Sequence, residues 1–356
     1  MLRERGRGAT HNQTSSRFGL SEREADGDWL DDQEAVDGEI PRLRTTVTIQ
    51  HPRTIITRNS SPDIGFTQSV NSYSGCEHGC VYCYARPTHA WHDLSPGLDF
   101  ETRLFAKPDA ARLLRKELAA RNYRPQPIAL GTNTDPYQPI ERRYRLTRQI
   151  LELCLETRHP VTITTKSARV CDDLDLLAEL ARENLVAVAI SVTSLDARLS
   201  SRLEPRASTP GKRLEAIGRL AQAGIFVGVN VSPIIPAITD MFLEEIVEQA
   251  GAMGARTASW IVIRLPHEVA PLFREWLQAH FPDRADKVMG IIRAMRDGKD
   301  NDPAFFSRMK ARGVWADLIR TRMRLARRRA GIAQEKPLLD ISRFRPPGPE
   351  GQLALF

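Results

Sequence analysis

Six times between residues 67 and 263 an apolar, β-rich run gives way to a polar exit. The runs are Thr67–Tyr73, Pro127–Gly131, Val161–Thr165, Leu185–Val192, Ile225–Val231 and Thr257–Ile263. Between them lie stretches with an apolar stripe at helical spacing: Ala110–Arg121, Leu146–Thr157, Asp172–Glu183, Lys212–Ala223 and Asp240–Gly251. Asp172 and Thr239 or Asp240 are placed to cap helix starts, and Gly224 to end a helix. Repeated βα units call for parallel strands joined by right-handed crossovers. The expected fold is therefore α/β, a partial TIM-like barrel of six βα units; a doubly wound open sheet is the alternative.

The first run ends in Gly75-Cys76-Glu77-His78-Gly79-Cys80-Val81-Tyr82-Cys83-Tyr84. Three of the chain's five cysteines stand here, spaced C-x3-C-x2-C. An odd, tightly grouped set does not make a disulfide framework. Soft thiolates suit zinc or an iron–sulfur cluster. Structural zinc needs a fourth ligand, which is missing unless His89 or His92 supplies it. A cluster held by three thiolates keeps one iron open to another molecule. Gly75 and Gly79 let the backbone curl close.

In a parallel barrel the ligand site forms at the C-terminal ends of the strands. The second run exits through Thr132-Asn133-Thr134-Asp135-Pro136-Tyr137-Gln138, and Lys166 follows the third. A lysine there can pair with a carboxylate, or simply be a solvated surface charge. Ser191 and Thr193 flank the fourth exit, where hydroxyls suit a ribose, or merely a strand. The fifth exit carries Pro233 and Pro236, a stiff wall.

The cysteine spacing with Tyr82 before the last thiol resembles the signature of the radical S-adenosylmethionine (SAM) enzymes. Together with Thr165-Lys166-Ser167-Ala168-Arg169-Val170, Ser191 and Glu204-Pro205-Arg206, it resembles the spore photoproduct lyase-like branch, over roughly residues 45–330. That resemblance implies that Cys76, Cys80 and Cys83 bind a [4Fe–4S] cluster and that Tyr82 lies against adenine. It suggests Lys166 and Ser191 on S-adenosylmethionine, with Asn133, Asp135 and Arg206 as further cofactor-binding candidates. It implies reductive cleavage of SAM and removal of a hydrogen atom from a substrate, with a flavodoxin or ferredoxin as electron donor. The lyase's separate hydrogen-donor cysteine has no counterpart: Cys154 reads as core and Cys171 as a helix-start residue, so thymine-dimer repair does not carry over. A non-enzymatic, metal-stabilised module binding nucleic acid or a sliding clamp is the alternative.

The 356 residues suffice for a barrel of this size, with no apolar run of membrane length and no secretory leader. A cytoplasmic enzyme is expected. Residues 1–40 read as a disordered tail, 41–265 as the barrel core and 266–330 as a helical extension, with helices at Glu268–His280, Arg284–Arg296 and Pro303–Arg329. Residues 331–356 read as a flexible tail, broken at Pro346-Pro347-Gly348-Pro349 and ending in Gln352-Leu353-Ala354-Leu355-Phe356. That ending resembles the peptide by which bacterial repair proteins dock on the DNA sliding clamp. The net charge of +7 and the arginines Arg320, Arg322, Arg324, Arg327, Arg328 and Arg329 suit a nucleic-acid partner or a merely solvated basic face.

Overall fold

The computed structural model describes residues 6–13, 15, 17, 43–332 and 337–348. Its main sheet contains β2 (Ile56–Arg58), β3 (Gln68–Val70), β6 (Ile128–Leu130), β7 (Val161–Thr165), β8 (Val186–Ser191), β9 (Phe226–Ile234) and β10 (Thr257–Val262). Their order is β10-β9-β8-β7-β6-β3-β2. Every pair from β3 to β10 is parallel, and β2 adds an antiparallel edge. The order never reverses. Each crossover therefore carries the chain one strand further the same way, which curls the sheet into the expected partial barrel and excludes the doubly wound alternative.

The strands are continuous apolar runs because both faces are covered. Ile128, Val161, Ile163, Val186, Val188, Ile190, Val227 and Val229 are all buried, each contributing about 1.5–3 kcal/mol. Helices Ala110–Leu118, Leu146–Thr157, Leu174–Arg182, Pro210–Gln222 and Leu243–Ala252 bury their stripes on the outside, and Gly224 follows one at φ +80°. A second cluster joins Val81 and Tyr82 of the cysteine loop to Phe273, Trp276, Val288 and Ile292 of helices Val269–His280 and Pro282–Ala294. The helical extension thus packs directly on the loop.

Several local expectations change. Ahead of the first predicted run, residues 43–67 form β2 and β1 (Thr46–Ile49), the latter in a small sheet with β5 (Arg103–Ala106) and β4 (Tyr73–Ser74). Asp172 pairs with Arg169 at 2.7 Å instead of capping; Ser167 caps the short 3₁₀ turn Ala168–Asp173. The Thr239 hydroxyl accepts from the Ile235 amide, back toward the strand exit. The helix expected over 303–329 forms only from Val314 to Arg329, because Gly313 breaks it at φ +86° and Arg308 is drawn to Asp63 at 2.6 Å.

Parts of both presumed tails that are described make contacts with the core. Ala9 is buried, with Leu98 and Leu272. Residues 337–348 run along the sheet's lower end, where Phe344 packs on Tyr123 and His159 and the Arg345 amide donates to the Thr157 carbonyl. In the arginine-rich helix Arg320, Arg322, Arg327 and Arg329 each have a partner in the chain, chiefly Glu244 and Glu248 of the helix beneath. Three of the six arginines thereby meet a carboxylate, Arg320, Arg322 and Arg329. Gln352–Phe356 lies outside the described residues. No helix among them is long and apolar enough to cross a membrane.

Candidate active site

The cysteine loop leaves β4 at the upper, C-terminal end of the parallel strands. Gly75 and Gly79 take φ +77° and +66°, the left-handed region that glycine enters freely. A Cβ on Gly79 would stand 2.6 Å from a Glu101 oxygen, so the curl is also packed shut. The loop is fastened at almost every residue. Cys76 N donates to the Phe100 carbonyl at 2.9 Å and Val81 N to the Leu203 carbonyl at 3.1 Å. The Thr134 hydroxyl donates to the Gly75 carbonyl at 2.6 Å, and the Gln138 side chain accepts from Glu77 N at 2.9 Å.

Arg86, fully buried, reaches under the loop. Its guanidinium donates to the carbonyls of Cys80 at 2.9 Å, Gly79 at 3.1 Å, Pro96 at 3.0 Å and Gly97 at 2.8 Å, and to the Glu101 carboxylate. On the other side Arg213 pairs with Glu204, which accepts from the Tyr82 and Thr193 hydroxyls. Burial opposes the Glu204 charge, but Arg213 and Lys166 outweigh it and hold the carboxyl down at about 2.

The three thiols are free of disulfides, Cys76 and Cys80 buried and Cys83 half-buried. Burial pushes the Cys80 thiol up to about 12 and Cys76 well above its ordinary value. Thiols of this kind give up their protons only to a soft metal. Among the described residues no three His, Cys, Asp or Glu converge as ligands of one ion. His89 and His92 complete no such set: the His89 ring lies against Phe100 and Phe105, its Nε2 at 3.0 Å from the Arg103 carbonyl.

The strand exits separate into two groups. Lys166 Nζ stands 5.7 Å from the centre of the Tyr82 ring. Desolvation works against its charge, yet the Cys80 and Glu204 charges leave its pKa raised. Ser191 is buried, and its carbonyl accepts from Arg213 at 3.0 Å. Asp135 faces inward to the chain: it accepts from the Thr165 hydroxyl at 2.6 Å, Lys166 N at 2.8 Å and Tyr137 N at 2.9 Å, with His78 Nδ1 at 3.3 Å. Arg206 pairs with Glu77 at 3.2 Å on the loop's outer side. Asn133 reaches the Thr88 hydroxyl at 3.3 Å. Cys154 and Cys171 are both buried in the core cluster.

Sequence reading missed Arg86, Glu101, Glu204 and Arg213 as partners. Arg86 follows the last cysteine by three residues and Glu204 was noticed, but the fully buried pairings Arg86–Glu101 and Arg213–Glu204 emerge only in three dimensions.

Beside the loop, Trp91 stands 71% exposed between two recesses, of about 390 and 240 Å³. The first is lined by Asn71, Lys107, His92 and Asn133, the second by Tyr84, Arg264, Arg17 and His267. Among the described residues neither is lined by an aspartate or a glutamate, although Arg17 pairs with Glu268 nearby.

Known proteins share this chain's sequence and fold in part. An uncharacterized protein of Mycobacterium tuberculosis is 36% identical over 230 residues, covering 64% of this chain and 68% of that one. A radical SAM Nα-GlyT isomerase of Pseudomonas phage M6 is 24% identical over 246 residues, 68% of this chain and 49% of that protein. A spore photoproduct lyase complexed with dinucleoside spore photoproduct shares the fold at TM-score 0.56, with 18% identity over 80% of this chain and 79% of the other. A sequence model of the Radical SAM superfamily matches residues 70–250, from the end of β3, through the cysteine loop, to the helix after β9. That match spans half the chain and sets aside a non-enzymatic module: this protein belongs to the radical SAM superfamily, enzymes that work with a [4Fe–4S] cluster and S-adenosylmethionine.

Proposed function

We propose that Cys76, Cys80 and Cys83 hold the cluster and that the chain acts on a nucleic acid presented at the recesses around Trp91. When bound, the cluster and SAM together supply a carbon radical able to take a hydrogen atom from substrate. The chain's own residues bind, orient and exclude. Lys166, held over Tyr82, is placed to pair with the SAM carboxylate. Tyr82, its hydroxyl engaged by Glu204, offers a fixed flat face to adenine. Ser191 stands buried at the exit of β8, beside Arg213. Asn133 stands where the cofactor side meets the first recess. Asp135 and Arg206 act one layer out, Asp135 by fixing the turns after β6 and after β7 and Arg206 by steadying Glu77.

The observation that carries the nucleic-acid reading is Trp91. It is an exposed indole flanked by cationic groups, in recesses that no carboxylate lines among the described residues. An exposed ring suits base stacking, and Lys107 and Arg264 suit phosphates. A structure of the same fold holds a dinucleoside photoproduct, which supports the class of substrate and leaves the reaction open. The test is binding of single-stranded oligonucleotides across a salt series. Wild type binds, more weakly as salt rises, and Trp91→Ala weakens binding about tenfold, the size of one lost stack. A wild type that binds no oligonucleotide at low salt overturns the reading.

DNA repair is the role we infer, in the cytoplasm, with a flavodoxin or ferredoxin as electron donor. Docking of Gln352–Phe356 on a DNA sliding clamp belongs with it. Clamp binding that survives deletion of those five residues refutes it.

A further inference from the structure

The segment 7–13, polar and rich in small residues, docks on the cysteine loop with an economy of contacts that a passing terminus lacks. The amides of Gly8 and Ala9 donate to the two oxygens of Glu101 at 2.9 and 2.8 Å. The same carboxylate takes the guanidinium of Arg86, which holds the Gly79 and Cys80 carbonyls. Arg7 donates to the Glu101 carbonyl at 3.0 Å and to the Thr45 hydroxyl at 3.2 Å, and Thr45 donates to Glu77 inside the loop at 2.6 Å. Further along, Asn12 exchanges hydrogen bonds with Asp99 at 3.1 and 2.9 Å, and the Thr10 hydroxyl donates to Glu275 of helix Val269–His280 at 3.2 Å. The segment therefore bridges the helical extension and the back of the loop.

Two glycines show how close it lies. A Cβ on Gly8 would stand 1.7 Å from the Gly79 carbonyl oxygen and 3.2 Å from Val81 N, both backbone atoms of the cysteine loop. A Cβ on Gly97 would stand 2.1 Å from the His11 carbonyl oxygen, on the segment itself. Neither residue has a positive φ, so only the absence of a side chain is required at these places. Main chain rests on main chain, and water has no room between.

We propose that residues 7–13 are a latch laid across the cysteine loop, and that its docking sets how fast the loop gives up iron. The proposal rests on Cys76, Cys80 and Cys83 as the cluster ligands. To lose an iron, a thiolate must swing away or solvent must reach it. The latch opposes both, by pinning Gly79 between Gly8 and Glu101 and by covering Val81. Its hold comes from backbone amides on a buried carboxylate, which are charge-assisted bonds and persist only while the segment stays docked.

The test uses the full chain with Gly8→Ala and, independently, Gly97→Ala. Gly211→Ala, where an added Cβ meets nothing within 4 Å, is the control. Each is reconstituted anaerobically, freed of excess iron and mixed with an iron chelator, and the decay of cluster absorbance is followed. Gly8→Ala and Gly97→Ala release iron about tenfold faster, the loss of one or two charge-assisted bonds, while iron per chain at time zero and the control's rate match wild type. Unchanged release in both variants overturns the latch. Should either variant unfold, hydrogen exchange on the metal-free wild type decides. Gly8 and Ala9 amides as slow as those of Cys76 and Val81 support docking, and exchange at the free-peptide rate overturns it. A wild type that takes up no iron overturns the ligand assignment and the latch with it, whereas iron uptake with unchanged release overturns the latch alone.

Discussion

Replacing Arg86 by methionine keeps much of the volume and removes every hydrogen bond its guanidinium makes beneath the cysteine loop. Arg86 and Glu101 are both fully buried. In the variant the carbonyls of Gly79, Cys80, Pro96 and Gly97 lose their donor, and Glu101 keeps only the Gly8 and Ala9 amides. Breaking a buried pair from one side costs about 3–5 kcal/mol, because the remaining charge stays desolvated. That is a large part of the stability of an ordinary domain. The assay is urea unfolding of the metal-free chain, so that cluster loss does not enter. Glu101→Gln and the double variant Arg86→Met/Glu101→Gln complete a cycle. The expected coupling is about 2 kcal/mol, the double variant being less damaged than the two singles added. A single-variant cost below about 1 kcal/mol, or no coupling at an unchanged slope with urea, would refute the reasoning.

Lys166→Met should leave iron content intact and weaken SAM binding about tenfold or more, the loss of one charge-assisted bond, read by anaerobic calorimetry; unchanged affinity removes Lys166 from the cofactor. His159 is buried against Tyr123 and Phe344, and burial pulls its pKa down to about 4 from 6.5. The unfolded chain therefore binds the extra proton first. Stability is complete above about pH 6.5 and falls through the window down to pH 4 by about 3 kcal/mol. His159→Gln should flatten that part of the urea-midpoint curve, and parallel curves for the two chains would exclude His159 as the cause.

The fold was readable because parallel strands covered on both faces must be apolar throughout, and β7 at Val161–Thr165 and helix Leu146–Thr157 fall where periodicity puts them. The cysteine loop was readable because soft thiolates at that spacing suit few purposes. The short strands β1 and β2 were not, since their exposed edges carry polar residues such as Thr46, Thr48 and Arg58. Nor was helix Ala197–Leu203, capped by Asp196, which carries the Leu203 carbonyl to Val81 and delivers Glu204 to Tyr82. About two turns of amphipathic pattern are too short to register against their surroundings. The docking of residues 7–13 escaped for another reason. Its hold lies in backbone amides and missing side chains, and composition reads both as disorder.

The two buried arginine–glutamate pairs bracket the loop, Arg86–Glu101 beneath Gly79 and Cys80 and Arg213–Glu204 behind Tyr82. Buried pairs of this kind add little net stability, and apolar residues of the same volume would often serve the fold better. What apolar packing does not provide is direction. A loop of two left-handed glycines and three thiols held only by apolar contacts could slide whenever the cluster was absent, and the thiols would then need to be re-gathered at each loading. A guanidinium fixes four carbonyls at defined angles, and a carboxylate fixes a phenol, whether or not iron is bound. On the proposed assignment of Cys76, Cys80 and Cys83 as cluster ligands, the pairs hold the loop in its binding shape ahead of the metal. Uncharged isosteres at both pairs should therefore leave a stable chain that takes up iron slowly.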